Sequence, residues 1–600
     1  MRATAQEQAI FLILGLAGMG IVLVGTSVYG PGLSPDSVAY VFAAKSLIAG
    51  DGYSMISGDA FVHWPPLFPT LLAGMDRVGI DPLVGARFFN AAIFGLIIFA
   101  TGHLLRTHLK TWAIVFLGTA SLLVSVIFLR ISIMAWSEPL FVLLTILFFI
   151  FLSKFLTQQR FKLLVLIGVL AGIACLQRYI GFTLIFTGFI SIAIFTRSSS
   201  RQDTLRFLGF FGLISSIPLA VWLGRNYVLT STISGVRPPS TTGFFENLGE
   251  TLNSVSFWLL PTDYATATIV QVLFVILGIS VLAALVLLAL RSNILRGSSL
   301  QVTQLAPVAI FVPIYIIALI VVRTRFDFYA PIGDRLLSPI YVFVLLFALL
   351  GIERVVQTFT PSPQTNWNFQ RLWLILGLLF VLSGLLINEW TVTKLLFSGE
   401  VTNKWVLDNL LFDDGSVRAP FRVIMLIFGI SAVLFGLVVI TLREKPWIGR
   451  LVIVGLFSVW LIYPVAQSSI YVSTKTDSGS GGFNSAGWRN SALIDELRTH
   501  PLEGTLYTNV PDAIFILTQS STRSSPSRFP YDALSGSSSA ISQFTLGMAL
   551  DTEDTYLVWV DNESLLDPQR DPNETIENVS LLFDLKEIAR FPDGGIYSFK

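Results

Sequence analysis

Ser34–Leu72, SPDSVAYVFAAKSLIAGDGYSMISGDAFVHWPPLFPTLL, follows the first long apolar run of the chain and is too long for a simple turn between two membrane helices. It sets Asp36, Lys45, Asp51, Asp59 and His63 in an otherwise apolar region. Ser34-Pro35-Asp36 is a helix start: a serine cap, proline at the first helical position and an acid in the first turn. The spacing predicts a helix from about Pro35 to Ala49, with Val38, Val41, Phe42 and Lys45 on one side and Tyr40, Ala43, Ala44 and Leu47 on another. Gly50-Asp51-Gly52 ends it. So apolar a helix is expected at a membrane interface, packed on protein. His63-Trp64-Pro65-Pro66 forces extended backbone, because a residue before proline avoids the helical region. A second apolar helix is predicted from about Leu67 to Val78.

Working outward, the 600 residues are 53% hydrophobic and only 13% charged, which excludes an ordinary soluble protein. Runs long enough to span a bilayer recur at 9–29, 83–105, 111–130, 137–156, 161–177, 180–196, 206–225, 267–290, 303–322, 334–352, 371–389, 421–442 and 450–470, about thirteen in all. The first, from Ile10, has a weak basic flank and no small-residue cleavage site, so it reads as a retained helix. A net charge of +1 gives no reason to expect a nucleic-acid partner, and the single Cys175 excludes an intramolecular disulfide.

One set of alternate loops is short and basic: Arg106 and Lys110; Lys154, Arg160 and Lys162; Arg197, Arg201 and Arg206; Arg291 and Arg296; Arg354 and Arg371; Arg443, Lys445 and Arg450. The positive-inside rule makes these cytoplasmic. The N-terminus is then inside, and the 30–82, 226–266 and 390–420 loops and the C-terminal tail are outside. The alternation holds only if the chain turns at Gln177-Arg178-Tyr179-Ile180-Gly181, since one straight helix over 161–196 would overshoot the bilayer.

After Tyr471 the composition changes to Ser, Gly, Asp and Asn (STKTDSGSGGFNS). Residues 1–470 therefore read as a transmembrane domain and 471–600 as a small extracytoplasmic α/β domain. Within the tail, Ala486–Arg498 reads as an amphipathic helix, Thr505–Asn509 and Thr555–Val560 as strands, Ile588–Phe599 as a hairpin about Pro592-Asp593-Gly594-Gly595, and Ser520–Ser539 as a mobile loop.

The informative charges lie at the outer helix ends: Asp36, Arg130, Glu138, Arg178, Arg225, and the group Arg323, Arg325, Asp327, Asp334 and Arg335. Each has a plain structural alternative. An arginine can snorkel to head groups, Asp36 and Glu138 can complement helix dipoles, and His63 can be packing. Several arginines on one side, against the positive-inside bias, suit a lipid-linked phosphate, which guanidinium binds bidentately. Asp413-Asp414 before Gly415 reads as a turn rather than a metal pair.

PDSVAY…AKSLIAGDGY…HWPPLFPTLL, then SEPLF, QRYIGF, WLGRNY with a following G-x-R, and GDRLLSPIY resemble, in order and over about residues 9–470, the GT-C superfamily of membrane glycosyltransferases. The chain is most similar to the bacterial branch of protein O-mannosyltransferases and lipid A aminoarabinose transferases (glycosyltransferase family 39-like). The tail, with LYTNVPDAIFILT and GGIYSF, resembles the soluble domain that often follows. The resemblance implies a polytopic helical GT-C fold. It implies inverting transfer of a sugar from polyprenyl phosphate on the extracytoplasmic face, with an acid of the first outer loop, matched by Asp36, as general base. It also implies that Glu138 opens the fourth span at the site and that Arg178, Arg225 and Arg335 bind the donor phosphate; His63 is a further substrate-binding candidate. Many members carry two adjacent acids where this chain has Asp36-Ser37, so no metal and no cofactor beyond the lipid-linked sugar is expected. The expected partners are membrane lipids, the donor and an acceptor that is protein, lipid or glycan, in a bacterial plasma membrane. Two rival readings are a transporter or lipid flippase, which would place binding groups near the midplane of repeated halves, and a non-catalytic assembly subunit.

Overall fold

The computed structural model describes residues 3–196, 200–259, 300–326, 332–358, 461–525, 554–562, 564–566, 575–581 and 583–599. Helix α1 (Ala5–Gly25) begins at a capping box in which Thr4 and Glu7 satisfy each other's backbone N–H. After it come α2 (Pro35–Ala49), α3 (Leu67–Arg77), α4 (Pro82–His108), α5 (Trp112–Ala120), a 3₁₀ turn (Ser121–Val124), α6 (Val126–Ile133), α7 (Glu138–Gln158), α8 (Phe161–Gln177), α9 (Phe182–Phe195), α10 (Arg201–Thr230), α11 (Phe244–Leu259), α12 (Leu300–Arg325), α13 (Asp334–Thr358) and α14 (Ile462–Ser478). Six of these are long and apolar enough to cross a membrane; α5 to α6, bent by 46° at Ser125, makes a seventh if counted as one span. Apolar side chains such as Leu12, Ile13 and Leu16 of α1 and Val221 of α10 face outward, as a lipid solvent allows. The expected spans over 267–290, 371–389 and 421–442, most of that over 450–470, Asp327 and the Asp413-Asp414 pair lie outside the described residues.

Packing follows from small residues and from ion pairs. α1 and α4 approach so closely that a Cβ at Gly15 would sit 2.6 Å from the Gly95 carbonyl oxygen, and one at Gly95 would sit 2.7 Å from that of Gly15. Such a backbone-to-backbone contact is how membrane helices gain dispersion energy without a hydrophobic drive. At one end of the bundle Arg106 pairs with Glu7 at 2.9 Å, and buried Glu353 accepts from the Lys110 and Thr111 amides at 2.8 and 2.7 Å. The start of α1, the end of α4, the start of α5 and the end of α13 are therefore neighbours, as the alternation of basic loops requires. The turn at Arg178 exists: α8 ends at Gln177, Tyr179–Gly181 is a 3₁₀ turn, and α9 reverses the chain.

α2 has the predicted bounds, α3 ends one residue early, at Arg77, and Gly50 ends α2 in the left-handed region with φ +97°. α2 is buried on nearly every side. It is sandwiched in protein, with α3 on one face and the tail on another, which is why its sequence lacks a polar face.

The tail holds α15 (Ala486–Arg489), α16 (Ala492–Thr499), α17 (Pro511–Thr518), α18 (Ile576–Ser580) and five strands: β1 (Thr505–Thr508), β2 (Thr522–Ser524), β3 (Thr555–Val560), β4 (Leu585–Phe591) and β5 (Gly594–Phe599). The sheet order is β2-β1-β3-β5-β4, with β1 parallel to both β2 and β3 and β5 antiparallel to β3 and β4. Strand alternation sorts the faces: Leu506, Val558, Val560 and Ile596 join one core, while Tyr507, Leu557, Trp559 and Tyr597 join the other. The first core is continuous with α2, α3, Phe61 and Trp222 of the membrane part.

Three expectations change. The predicted helix Ala486–Arg498 is two helices, because Ser491 caps the second at the Ile494 amide (3.1 Å) and donates to Asp593, whose other oxygen accepts from Leu493 N at 3.2 Å. The predicted loop from Ser520 contains edge strand β2, paired with β1. The hairpin begins earlier than Ile588, at Leu585.

Candidate active site

Four of the six singled-out residues converge. Asp36 lies in the first turn of α2, behind the Ser34 cap; Glu138 opens α7, behind Ser137; Arg335 is in the first turn of α13; Arg178 caps the end of α8 in extended backbone. Glu138 Oε1 accepts from Arg178 Nη1 and from Arg335 Nε, both at 2.5 Å, and Arg335 Nη2 donates on to Asp36 Oδ2. The result is a chain of alternating charge, Arg178–Glu138–Arg335–Asp36, built from four elements. Three helix N-termini point into it, so their dipoles add positive potential where two carboxylates already sit.

The two acids are not equivalent. The Glu138 side chain is 1% exposed and that of Asp36 is 27% exposed. Glu138 is sealed between two guanidinium groups, whereas Asp36 reaches solvent. Arg178 and Arg335 keep 20% and 26% of their side chains exposed. Each guanidinium has five donors, and Arg335 uses Nε and Nη2 on the two acids.

The surrounding residues hold this geometry. Trp136 lies flat under Arg335, 3.9 Å from guanidinium carbon to ring centroid, and its indole N–H donates to Ser34 Oγ at 2.7 Å. Tyr40, buried on α2, meets the Ser137 hydroxyl at 3.2 Å. Gln177 donates to the Ser137 carbonyl at 2.7 Å. Buried Asn90 of α4 donates to the carbonyls of Met134 (2.8 Å) and Trp136 (3.1 Å), fixing the strand-like approach to Glu138. Residue-by-residue reading passed over Trp136 and Asn90. Their signals were an indole immediately before Ser-Glu-Pro and a carboxamide inside an apolar span.

His63 and Arg225 hydrogen-bond to groups outside the quartet. Arg225 donates Nη1 to the Phe61 carbonyl (3.0 Å) and to Asn226 Oδ1 (3.0 Å) and Nη2 to the Tyr53 carbonyl (3.3 Å), with its guanidinium 4.6 Å from the Trp222 ring centroid. The His63 ring meets the Val236 carbonyl at 3.1 Å, and Arg237 donates to the His63 carbonyl at 2.7 Å. Burial, with Arg237 next, holds the His63 pKa below the usual histidine value. Both residues tie the 53–64 loop to α10 and the segment that follows it. Asp334, beside Arg335, turns away to accept from the Trp258 indole at 2.8 Å.

A family model described as dolichyl-phosphate-mannose-protein mannosyltransferase matches residues 63–222. No curated protein matches the chain by sequence. Among solved structures, ArnT from Cupriavidus metallidurans bound to undecaprenyl phosphate is similar with a TM-score of 0.54 at 11% identity, covering 99% of this chain and 98% of that one. The apo state of the same protein gives 0.51 at 11% identity over 98% and 97%. The chain is an integral membrane protein that shares the GT-C fold of ArnT, and over residues 63–222 it resembles the protein mannosyltransferases.

Proposed function

We propose that this protein is a membrane glycosyltransferase that moves a sugar from a polyprenyl phosphate to a hydroxyl of its acceptor. The observation that carries the reading is the quartet itself: a partly exposed carboxylate beside two partly exposed guanidinium groups, at the junction of three helix N-termini. The family match and the shared fold with ArnT, whose structure holds undecaprenyl phosphate, support the donor class.

The chemistry follows from the exposures. Asp36, rather than sealed Glu138, can meet an acceptor. Its carboxylate takes the hydroxyl proton as that oxygen bonds to the anomeric carbon. The bond from the anomeric carbon to the phosphate oxygen breaks, and its electron pair leaves on the phosphate. Attack opposite the leaving group inverts the centre. A phosphate leaves without protonation if its charge is neutralised, and Arg178 and Arg335 do that. Glu138 orients both arginines. The reading needs no metal and no separate cofactor. By the distribution of basic loops, the site and the tail face away from the cytoplasm, in a bacterial plasma membrane.

The test is donor consumption by the full chain in nanodiscs with a panel of polyprenyl-phosphate sugars. Consumption that Asp36→Asn abolishes in folded protein supports the assignment. Full turnover by Asp36→Asn removes the base. Tight donor binding without consumption, with any acceptor extract, favours a flippase, and absence of donor binding favours an assembly subunit.

A further inference from the structure

We infer that the glycine-rich segment Gly479–Asn484 is a positioning clasp for Asp36, through which the tail sets the geometry of the proposed chemistry; this rests on the glycosyltransferase reading above. In sequence the segment looks like a linker. In the structure it is a tight turn closed by a Gly479–Ser485 bridge, with Gly479, Ser480 and Asn484 buried. Three backbone segments lie side by side there. Gly32 donates to the Ile133 carbonyl at 3.0 Å, and Ala135 N donates to the Gly32 carbonyl at 2.9 Å. Leu33 N donates to the Gly481 carbonyl at 3.1 Å, and Phe483 N donates to the Leu33 carbonyl at 2.9 Å. The middle segment runs directly into the Ser34 cap and Asp36; the 133–135 segment runs directly into Ser137 and Glu138.

Side chains of the clasp grip the chain just before this. Ser480 Oγ donates to the Gly30 carbonyl at 2.6 Å and to that of Gly25 at 3.3 Å. Asn484 Nδ2 donates to the Tyr29 carbonyl and, at 2.7 Å, to that of Pro31. Both residues are buried, at 2% and 1% exposure. The glycines are required. Gly482 has φ +59°, and a Cβ there would sit 1.8 Å from the Leu33 carbonyl oxygen; Gly479 has φ +90° and would meet the Asn484 oxygen at 2.5 Å. A flexible linker would need neither.

Among the described residues, the hydrogen bonds from the clasp to the membrane part go to residues 25–33, the segment that leads to the base, and none goes to α8 or α13, which carry the phosphate-binding arginines. Loosening it should therefore lower kcat and leave the donor KM in place. A shift of 1 Å in a reacting group costs about 100-fold in rate, and that is the expected loss in Gly482→Ala. Ser480→Ala, which removes one hydroxyl and no backbone freedom, should show a smaller loss in the same direction.

The experiment is amide hydrogen exchange of the peptide covering residues 32–40, in the full chain in nanodiscs, beside steady-state turnover of the donor that wild type consumes. Faster exchange in both variants, with kcat reduced and donor KM within about twofold of wild type, is the expected result. Unchanged exchange overturns the clasp. Faster exchange at undiminished kcat overturns its link to Asp36, and so does an equal loss in KM and kcat. If Gly482→Ala does not fold, Ser480→Ala carries the same outcomes. Wild type that consumes no donor defeats the enzyme reading instead, and the exchange result still decides whether the clasp holds the segment.

Discussion

Replacing Glu138 by glutamine removes one negative charge from between two guanidinium groups that both donate to the same oxygen at 2.5 Å. With charge centres about 4 Å apart and an effective dielectric near 20, each attraction is about 4 kcal/mol before desolvation. Removing one partner of a buried pair costs about 3–5 kcal/mol. Two facts pull the expectation to the lower edge: Arg178 and Arg335 are 20% and 26% exposed, and Arg335 keeps Asp36. We expect Glu138→Gln to lose about 3 kcal/mol of unfolding free energy. Asp36→Asn, at a position 27% exposed and held by one arginine, should lose about 1 kcal/mol or less. Reversible unfolding of both variants in bicelles measures the difference. The aspartate variant is expected to be stable and inactive, and the glutamate variant to be destabilised. A loss in Glu138→Gln no larger than that in Asp36→Asn refutes the division into a sealed organiser and an open base.

Arg225→Lys keeps the charge but cannot reach the Phe61 and Tyr53 carbonyls together; donor affinity should hold while proteolysis within residues 53–61 accelerates, and a lost donor affinity would place Arg225 at the phosphate instead. His63 has a folded-state pKa below its ordinary value of 6.5, so its contribution is present above that pH and is lost as pH falls through the folded value. The protection factors of the 60–64 amides, taken against the intrinsic exchange rate at each pH, should fall on acidification below about pH 6.5 in wild type and stay flat in His63→Gln. Gly15→Val forces the α1–α4 backbones apart, because even a Cβ would be 2.6 Å from the Gly95 oxygen, whereas Gly20 on the same helix has nothing within 4 Å. The first should cost about 1–3 kcal/mol and the second much less, read as thermal stability of the two variants in one detergent.

What could be read from the residues was local chemistry. Ser34-Pro35-Asp36 and Gly50 fixed both ends of α2, because a cap, a proline and a left-handed glycine each act within one turn. The reversal at Arg178 followed from bilayer thickness; β1, β3 and the β4–β5 hairpin were legible in the tail, and β2 was not, because it lies in a Ser-rich stretch and is only three residues long. What could not be read was pairing. Arg335 reaches Asp36 across 299 positions, and nothing local to either residue shows that the partner of one carboxylate also serves the other. The same limit explains Arg225 and His63. An arginine suits a phosphate and a histidine a substrate, and only the fold reveals that backbone carbonyls of Tyr53, Phe61 and Val236 meet their side chains.

The glycine-rich stretch shows the limit most sharply. In composition Ser478–Gly482 marks only the change from membrane part to tail, and glycine raises the entropy of an unfolded segment. The same freedom is what lets a chain adopt positive φ at Gly479, Gly481 and Gly482 in one tight turn and bring Gly482 against the Leu33 carbonyl. Linker and clasp share a composition and differ only in whether buried partners wait for the backbone, and Ser480 and Asn484 supply those partners here. A domain joined through such a turn is fastened to the loop that carries Asp36. Its shared core with α2, through Phe42 against Phe515 at 5.1 Å between ring centroids and Lys45 bonded to Gln519, fastens the tail along the helix whose first turn carries Asp36.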